Sequence, residues 1–389
     1  MSEWKKYTLA DVTTVLGDGL HGTPKYQEDG PVYFINGNNL INGSISLKDA
    51  TKRVSEEEAR KYKKPLNDRT IMVSINGTIG NVAKYNGESC ILGKSACYFN
   101  VKKEFDKDFI YYVVCNPSFV ANINRLATGT TIKNVSLKTM REYSFLAPSL
   151  KTQQNISKIL SSIDSKIAIN RKINENLEQQ AQALFHRWFV EFEFPNEQGL
   201  PYKSNGGRFI DSELGKIPEG WNLNPLNYFG RIVCGKTPSK SIEDYFGGNI
   251  PFIKIPDMHN NIFVINSEDS LSSRGEKSQS NKTIPPYSIL VSCIATVGLV
   301  CMNTKKSQFN QQINAIIPFN ESFRYYIYLR LKTMYNKLQL LASGGSATLN
   351  LNTSQFSAIK IENPNKKLII DFHKITTPFF KEIELRQNE

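Results

Sequence analysis

The two halves of this 389-residue chain carry the same sequence landmarks in the same order. Trp4 opens the first half and Trp221 the second, an offset of 217 residues, and Ile71–Gly80 returns as Ile289–Gly298 at an offset of 218. Further pairs at similar spacing are Thr23-Pro24 with Thr237-Pro238, Pro31 with Pro251, Leu126 with Leu341, and Pro148 with Pro364. Each copy is close to the commonest domain length, so the spacing predicts a tandem duplication of one domain.

Within each copy the pattern predicts a mixed α/β (α+β) domain. The apolar runs Ile71–Ile75 and Ile289–Ile294 are typical of buried strands. Ser55–Glu58 has the composition of a capping box, which predicts the start of a short helix. The apolar and aromatic segments Phe109–Leu126 and Phe323–Leu341 each predict a helix, and loops rich in Gly, Ser and Thr follow both.

A long segment without glycine or proline, Thr152–Val190, separates the two copies. Its apolar residues follow heptad spacing, and Asn170 and Asn174 continue the same seam as a polar layer. The apolar seam positions are Ile156, Leu160, Ile163, Ile167, Leu177, Ala181, Leu184 and Trp188. At 1.5 Å per residue such a helix spans about 58 Å. We predict a coiled-coil spacer, the alternative being an ordinary amphipathic helix packed on its own domain.

The same apolar spacing predicts a second helix over Lys366–Leu385. Its apolar face consists of Ile369, Phe372, Thr376, Phe379 and Ile383. Pro378 cannot donate to the carbonyl of Lys374, which predicts a kink or a break at that point. Antiparallel pairing of the two helices would relate the copies by a pseudo-two-fold axis.

These features predict four segments: a first domain over 1–148, a spacer helix over 149–195, a linker and second domain over 196–365, and a short helix over 366–389. The expected architecture is two tandem α/β domains separated by long coiled-coil helices.

The charge balance points to a polyanionic partner. The chain has 48 Lys and Arg against 36 Asp and Glu, a net charge of +12. Nucleic acid is the first candidate, and a membrane surface or an acidic protein is a less frequent one. The six cysteines form no C-x-x-C pair, and the four histidines lack metal-ligand spacing, which disfavours a structural zinc site. Without a signal peptide or an apolar run of spanning length, we expect a cytoplasmic protein with reduced thiols and no membrane contact.

The sequence lacks the motifs of the common catalytic sites. It has no phosphate-binding loop, no G-x-G-x-x-G between a strand and a helix, and no H-E-x-x-H or G-x-S-x-G. Asn116–Phe119 is a near match to the N-P-P-[YF] motif of adenine methyltransferases, but the end of a helix followed by a turn is the favoured explanation. A self-contained DNA adenine methyltransferase, or a restriction-modification fusion, remains the alternative function.

Three segments resemble a known family. Leu146–Glu178 is similar to the central conserved region of the specificity (S) subunits of type I restriction-modification systems, and Leu184–Glu193 and Ser212–Trp221 continue the similarity. The two-copy layout of the chain is also that of the family. Family members usually continue beyond the second helix, so the C-terminal conserved helix is expected to be short here.

The resemblance implies a non-catalytic subunit that binds double-stranded DNA. Each copy would be a target recognition domain that reads one half of a bipartite, asymmetric site. The helices would dock two modification (methyltransferase) subunits, and restriction (endonuclease and translocase) subunits would complete the assembly. No cofactor is expected in this chain, because S-adenosylmethionine, ATP and Mg²⁺ would act in the partner subunits. A further alternative is a scaffold that joins proteins through its long helix without binding DNA.

The candidate DNA contacts are polar residues in corresponding loops. Asn and Gln can bond adenine through two hydrogen bonds, and Lys can bond guanine or phosphate. In the first copy they are Thr23, Lys25, Tyr26, Asn36, Asn38, Lys94, Thr130 and Lys133; in the second they are Lys236, Thr237, Lys240, Lys254, Gln311 and Gln312. A tight turn, a strand cap or a solvated lysine is the plainer explanation for each.

The candidates for helix pairing and partner docking lie on the seams of the two helices. They are Ile156, Leu160, Ile163, Ile167, Asn170, Asn174, Leu177, Leu184, Trp188, Phe372, Phe379 and Ile383.

Overall fold

The structure, a computed structural model, describes residues 4–129, 132–344 and 349–389. The chain divides into two compact units, Met1–Lys166 and Ile167–Glu389. A single helix, α6, crosses the boundary between them. In each unit a β-sheet packs against helices, as the sequence predicts for an α/β fold.

The first unit contains eleven strands and five helices in its described part, and α6 begins within it. The strands are β1 (Lys5–Thr8), β2 (Thr13–Gly17), β3 (Val32–Ile35), β4 (Leu40–Ile41), β5 (Ser44–Ile45), β6 (Arg53–Val54), β7 (Thr70–Ser74), β8 (Val82–Lys84), β9 (Cys90–Leu92), β10 (Ala96–Val101) and β11 (Ser144–Ala147). The helices are α1 (Leu9–Val12), α2 (Glu56–Tyr62), α3 (Lys107–Cys115), α4 (Pro117–Leu126), α5 (Leu137–Glu142) and α6 (Leu150–Phe189).

The main sheet of the first unit is antiparallel, with strand order β2-β10-β7-β8. A second sheet has the order β6-β3-β9, and β3 and β9 run parallel. The central strands β7 and β10 are buried along their whole length, and α3 and α4 cover one face of the main sheet through Phe109, Ile110 and Phe119. The core therefore lies between this face and the helices.

The second unit contains twelve strands and seven helices in its described part. The strands are β12 (Phe209–Ser212), β13 (Gly215–Pro218), β14 (Asn222–Pro225), β15 (Gly230–Cys234), β16 (Phe246–Ile253), β17 (Phe263–Val264), β18 (Asp269–Leu271), β19 (Ile289–Ser292), β20 (Val300–Asn303), β21 (Gln308–Phe309), β22 (Ile313–Pro318) and β23 (Lys360–Asn363). The helices are α7 (Leu226–Phe229), α8 (Ile255–Met258), α9 (Ser273–Lys277), α10 (Arg324–Thr333), α11 (Tyr335–Ala342), α12 (Thr353–Ser357) and α13 (Lys366–Asn388).

The two units share most of their sheet topology, although the two-stranded sheet β4-β5 has no counterpart among the described residues of the second unit. The order β15-β22-β19-β20 repeats β2-β10-β7-β8, with β17 added at one edge. The orders β18-β16-β21 and β14-β23 repeat β6-β3-β9 and β1-β11. The hairpin β12-β13 belongs to the second unit alone and follows α6 directly. The duplicated fold inferred from the sequence is therefore confirmed.

One landmark pair is not equivalent in the structure. The amide of Leu20 donates to the carbonyl of Leu92 at 2.7 Å, and the amide of Lys236 donates to the carbonyl of Phe309 at 2.9 Å. Leu92 and Phe309 end matching strands, so Leu20 corresponds to Lys236. The match of Thr23-Pro24 with Thr237-Pro238 is therefore wrong, because the equivalent hydrogen bonds in the two units make Thr237 correspond to His21.

Helix α6 is one uninterrupted element of 40 residues. Its beginning is attached to the first unit, where the hydroxyl of Tyr112 donates to Asp164 at 2.7 Å and Ile156 packs against the core. Its end is attached to the second unit through Phe185 and Phe189, both fully buried.

Helices α6 and α13 pair in antiparallel orientation within the second unit. The ring of Phe372, near the start of α13, contacts Phe189 with the ring centroids 5.0 Å apart. At the other end, the guanidinium of Arg386 donates to the amide oxygen of Asn170 at 3.0 Å. Helix α13 continues through Pro378, so of the kink or break predicted at that residue the break does not occur.

Ser55 caps α2 as predicted: its hydroxyl accepts from the amide of Glu58 at 3.1 Å. The carboxylate of Glu58 accepts instead from the amide of Lys25 at 2.9 Å. The helix is thereby tied to the loop that follows β2. Among the described residues, no helix is both long and apolar enough to cross a lipid bilayer.

Candidate nucleic-acid interface

One end of the sheets in each unit gathers the loops that carry most of the predicted DNA contacts. In the first unit, β3, β7 and β9 end there and β10 begins there, because β10 is antiparallel to β7 and β3 is parallel to β9. We call residues 18–22, 36–39, 75–81, 93–95 and 132–136 the first loop cluster. The matching residues 235–240, 254–258, 293–299, 310–312 and 349–353 form the second loop cluster.

The first loop cluster encloses an open cavity of about 420 Å³. It is lined by Asp18, His21, Ile75, Asn76, Lys94, Asn134, Val135, Ser136 and Leu137. The side-chain nitrogen Nδ2 of Asn76 donates to the side-chain oxygen of Asn134 at 3.2 Å. Nε2 of His21 lies 2.6 Å from a carboxylate oxygen of Asp18. The cavity is therefore bordered by polar groups that can donate and accept hydrogen bonds.

Lys94 is the cation of this cavity. Its side chain is exposed, and it has no carboxylate partner in the part of the chain that the structure describes. Its neighbour Ser95 donates through Oγ to the side-chain oxygen of Asn36 at 2.9 Å and accepts from the amide of Gly37 at 2.9 Å. The predicted residues Asn36 and Lys94 thus lie in one hydrogen-bonded group of loops, and Asn38 is exposed beside them.

The other predicted residues of the first copy lie at the edge of this group or outside it. Tyr26 packs against Phe34 on the second sheet, with the ring centroids 5.9 Å apart, and Lys25 and Thr23 are exposed on the approach to it. Lys133 is exposed in the first loop cluster, where its carbonyl accepts from an amide of the β7–β8 turn. Thr130 lies outside the described residues.

In the second loop cluster the polar contacts differ. The hydroxyl of Thr237 donates to the side-chain oxygen of Gln311 at 2.8 Å, and the side-chain oxygen of Gln312 accepts from Asn310 at 3.0 Å. Lys236 and Lys240 are exposed. Thr237 and Gln311 therefore form a hydrogen-bonded pair at the surface.

A buried amide network holds the backbone of the second loop cluster. The side chain of Gln279 donates to the carbonyl of Lys236 at 2.6 Å and to the side-chain oxygen of Gln308 at 2.8 Å. Both glutamines are buried, so these hydrogen bonds hold the backbone of Lys236 in a fixed position, from which its side chain extends.

Lys254 is already paired within the protein. Its ammonium lies 2.9 Å from Asp269 and 3.4 Å from Glu268, and its side chain is only 28% exposed. The hydrogen bond that Lys254 donates to the carboxylate of Asp269 raises the pKa of Lys254. Because two carboxylates neutralise its charge, Lys254 is poorly suited to a phosphate contact.

The backbones of the two clusters correspond while their side chains differ. The amide of Ile75 donates to the carbonyl of Ser95 at 2.9 Å, and the amide of Cys293 donates to the carbonyl of Gln312 at 2.7 Å. By this correspondence Lys94 is equivalent to Gln311. Likewise Asn76 is equivalent to Ile294, His21 to Thr237, and Asn134 to Asn350. Three of these four equivalent pairs therefore present unlike chemistry, and the fourth is asparagine in both copies.

Sequence reasoning missed Asp18, His21, Asn76 and Asn134. Asn76 stands directly after a predicted buried strand, where its place in the repeat could have drawn attention. Asn134 follows a long loop, and its approach to Asn76 depends on how that loop returns.

The near match to a methyltransferase motif has a structural explanation. Asn116 caps α4, its side-chain oxygen accepting from the amide of Ser118 at 2.9 Å. Phe119 is fully buried in the core, so its ring cannot hold an extruded base.

The predicted helix contacts separate into three groups. Ile156 packs on the first unit's core, and Leu160 is partly buried. Ile163 and Ile167 are 51% and 43% exposed. The others lie between α6 and the rest of the second unit: Asn170, Asn174, Leu177, Leu184, Trp188, Phe372, Phe379 and Ile383.

Both copies of the duplicated domain match the same protein family. The family model described as type I restriction modification DNA specificity domain matches residues 1–179 and 218–388. The type I restriction enzyme HindI specificity subunit of Haemophilus influenzae is 33% identical over 444 aligned positions, covering 98% of this chain and 94% of that protein. The MjaIX specificity subunit of Methanocaldococcus jannaschii is 30% identical over 40% of this chain and 37% of its own.

The fold has a counterpart among solved structures. The crystal structure of the type I restriction-modification S subunit from M. genitalium matches with a TM-score of 0.56 at 18% identity, covering 100% of this chain and 92% of that one. At this identity the likeness concerns the fold.

Proposed function

Because this chain belongs to the family of type I restriction modification DNA specificity domains, we propose that it is a DNA-specificity subunit without catalytic activity of its own. Each unit would read one half of a bipartite, asymmetric site in double-stranded DNA. The comparisons give no support to the alternative of a self-contained methyltransferase.

The main observation behind the proposal is that the two loop clusters have the same backbone framework but carry different side chains. The loop clusters are built on the same strand ends, yet Lys94 is replaced by Gln311 and Asn76 by Ile294 at equivalent places. Two unlike half-sites require this arrangement, because base identity is read by a few side chains that a common framework holds at the groove.

Catalysis would take place in partner subunits. S-adenosylmethionine would serve two modification subunits, and ATP and Mg²⁺ would serve restriction subunits. We propose that the exposed face of α6 contributes to docking of a modification subunit. Ile159 and Ile163 lie one helical turn apart on it and are 63% and 51% exposed, and exposed apolar side chains grouped in this way are typical of protein interfaces.

Sequencing of methylated adenines tests the specificity proposal. Genomic DNA from cells that express this chain with its modification subunit should carry methylation at one bipartite motif. Cells that express the modification subunit alone should lack that motif. Methylation by this chain without any partner would contradict the proposal.

The docking surface can be tested separately. The double variant Ile159→Asp with Ile163→Asp should no longer co-purify with the modification subunit, because it would bury two carboxylates in an apolar contact. Ile210→Asp, at an exposed isoleucine on β12, is the matched control and should assemble normally. Full assembly of the double variant would exclude this face as a docking surface.

A further inference from the structure

The turn between β7 and β8, residues Ser74–Asn81, is held in a closed shape by its own first residue. The carbonyl of Ser74 accepts from the amide of Gly80 at 2.9 Å, and its hydroxyl accepts from the amide of Asn81 at 2.8 Å. Ser74 is fully buried, so the turn is anchored in the core and its tip, Gly77-Thr78, extends into the first loop cluster.

The turn between β19 and β20, residues Ser292–Leu299, repeats this construction. The carbonyl of Ser292 accepts from the amide of Gly298 at 2.9 Å, and its hydroxyl accepts from the amide of Leu299 at 2.9 Å. Ser292 is also fully buried. The tip of this turn, Ala295-Thr296, occupies the same place in the second loop cluster.

The two tips also share an unusual backbone conformation. Gly77 has φ = 73°, and Ala295 has φ = 63°. The left-handed conformation is unfavourable for alanine because its Cβ approaches the backbone. The turn therefore keeps its shape in the second unit even where the residue at its tip opposes it.

Nothing within the fold accounts for the threonine that follows. Thr78 and Thr296 are both exposed, and neither the hydroxyl nor the amide of either one has a hydrogen-bond partner in the described parts of the chain. The hydrogen bonds above explain the buried serines of the turns, and positive φ angles of 94° and 93° explain Gly80 and Gly298. No contact within the described residues explains why a surface threonine without hydrogen bonds recurs at an offset of 218 residues.

The surroundings of the two threonines indicate what they contact. Two residues before Thr78 is Asn76, which lines the cavity with Lys94, whereas two residues before Thr296 is Ile294. Side chains that read bases must differ between unlike half-sites. The phosphate backbone is chemically the same at both, and threonine hydroxyls are common donors to phosphate oxygens.

We propose that Thr78 and Thr296 are sequence-independent phosphate contacts, each donating its hydroxyl to a phosphate oxygen of the DNA bound at its own loop cluster. This inference rests on the proposed function and adds a division of labour to it. The two turns position the duplex, and the unlike residues beside them read it.

Binding measurements on Thr78→Val and Thr296→Val test the proposal. Valine keeps the shape and removes the donor. Each variant should bind both specific and unrelated duplex DNA about tenfold more weakly, as expected for loss of one hydrogen bond to a charged acceptor. The dependence of affinity on salt should keep its slope, because threonine neutralises no phosphate and releases no counterion. The methylated motif should not change.

Thr78→Ser and Thr296→Ser are the matched controls, since serine retains the hydroxyl, and both should bind nearly as the unaltered chain does. Unchanged affinity in both valine variants would overturn the inference, as would a changed methylation motif. Normal DNA binding combined with loss of the modification subunit would mean that the turns contact protein instead. If the unaltered complex itself shows no sequence-specific methylation, the proposed function fails, which is a different outcome.

Discussion

At the residue scale, Lys94 is the position whose chemistry differs most clearly between the loop clusters. Lys94→Gln gives the first cluster the residue found at Gln311. We expect the discrimination between bases in the half-site read by the first unit to weaken by about 1–3 kcal/mol, since lysine and glutamine prefer different base edges. Competition binding against half-site variants measures this.

The exposed lysine of β13 provides the control for that prediction. Lys216→Gln removes the same charge at an exposed position outside both loop clusters and should leave base preference unchanged. Equal behaviour of the two variants would mean that Lys94 contributes only charge.

The cysteines allow a prediction on pH. Burial raises the pKa of Cys90 to about 12 and that of Cys293 to about 11, and it raises the pKa of Cys97 and Cys301 further. These thiols stay neutral in the folded chain, whereas in the unfolded chain they ionise near pH 9. The stability linked to them is therefore complete below pH 9 and declines as the pH rises from there towards 11 or 12.

Urea unfolding at pH 8 and pH 10 measures that decline, and thiol-reactive reagents should modify the buried Cys97, Cys293 and Cys301 only after unfolding. Substitution of Cys97 by alanine should reduce the difference in unfolding free energy between the two pH values. An unfolding free energy that is unchanged at pH 10 would contradict the prediction.

The sequence predicted some of the residues that the structure places in the loop clusters, and individual residues show why it did not predict the others. Lys94 and Gln311 could be found because they follow matching strands of the repeat. Lys254 was expected to contact DNA, but the pairing of β16 with β18 brings Asp269 to its ammonium, and a pairing between strands cannot be seen in residue spacing. Asn134 was missed for the same reason, since only the folded loop brings it to Asn76.

At the element scale, the turns at Gly77 and Ala295 offer a reciprocal pair of substitutions. Gly77→Ala should lower the free energy of unfolding by about 1 kcal/mol, because it places a Cβ in the left-handed conformation. Ala295→Gly should raise it by about 0.5 kcal/mol, since relief of the same strain is partly offset by the greater freedom of glycine in the unfolded chain.

Chemical denaturation of both variants measures these changes. Opposite signs are the essential expectation, and a destabilising Ala295→Gly would show that the alanine methyl makes a favourable contact. Gly87→Ala, at a positive φ of 95° outside the loop clusters, is a control for the effect of left-handed alanine elsewhere in the first unit.

The pairing of α6 with α13 depends on its aromatic contacts. Phe372→Ala should destabilise the second unit by about 3–5 kcal/mol, because this fully buried ring packs against Phe185, Trp188 and Phe189. Leu385→Ala, on the exposed side of the same helix, should change stability by less than about 0.5 kcal/mol. Thermal unfolding followed by calorimetry distinguishes the two.

The heptad spacing predicted the existence of α6 but not the use of each seam position. Ile156 and Trp188 were predicted to lie on the same heptad seam, yet Ile156 packs on the core of the first unit and Trp188 on the core of the second. The spacing of apolar residues predicts the face of a helix on which a residue lies, but not which element covers that face. For this reason Ile163 was predicted to lie in a packed seam, whereas the structure leaves it exposed.

At the scale of the whole molecule, the duplication predicts that the two loop clusters act independently. Lys94→Gln and Thr237→Val alter separate compact units, so their effects on the free energy of DNA binding should add to within about 0.5 kcal/mol. Each should change preference in a different half of the recognised site. Binding of the two single variants and the double variant to half-site mutants of the DNA tests this.

A coupling energy clearly above that limit would mean that both residues act on one half-site. Thr23→Val with Lys94→Gln, two changes in the first unit, provides the comparison for coupling within a unit.

The core of the second unit joins residues that are far apart in the sequence, and this sets an order of events during synthesis. Ala181 and Phe185 of α6 pack in the same cluster as Phe372 and Ile383 of α13. The first unit contains all of its own core once Lys166 has been made, so it can fold while the ribosome is still extending the chain. Of the rings that cover the aromatic end of α6, Trp221 is made soon afterwards, but Phe372 follows Phe189 by 183 residues. Until Phe372 has been made, part of this apolar surface stays uncovered on the nascent chain and is prone to aggregation.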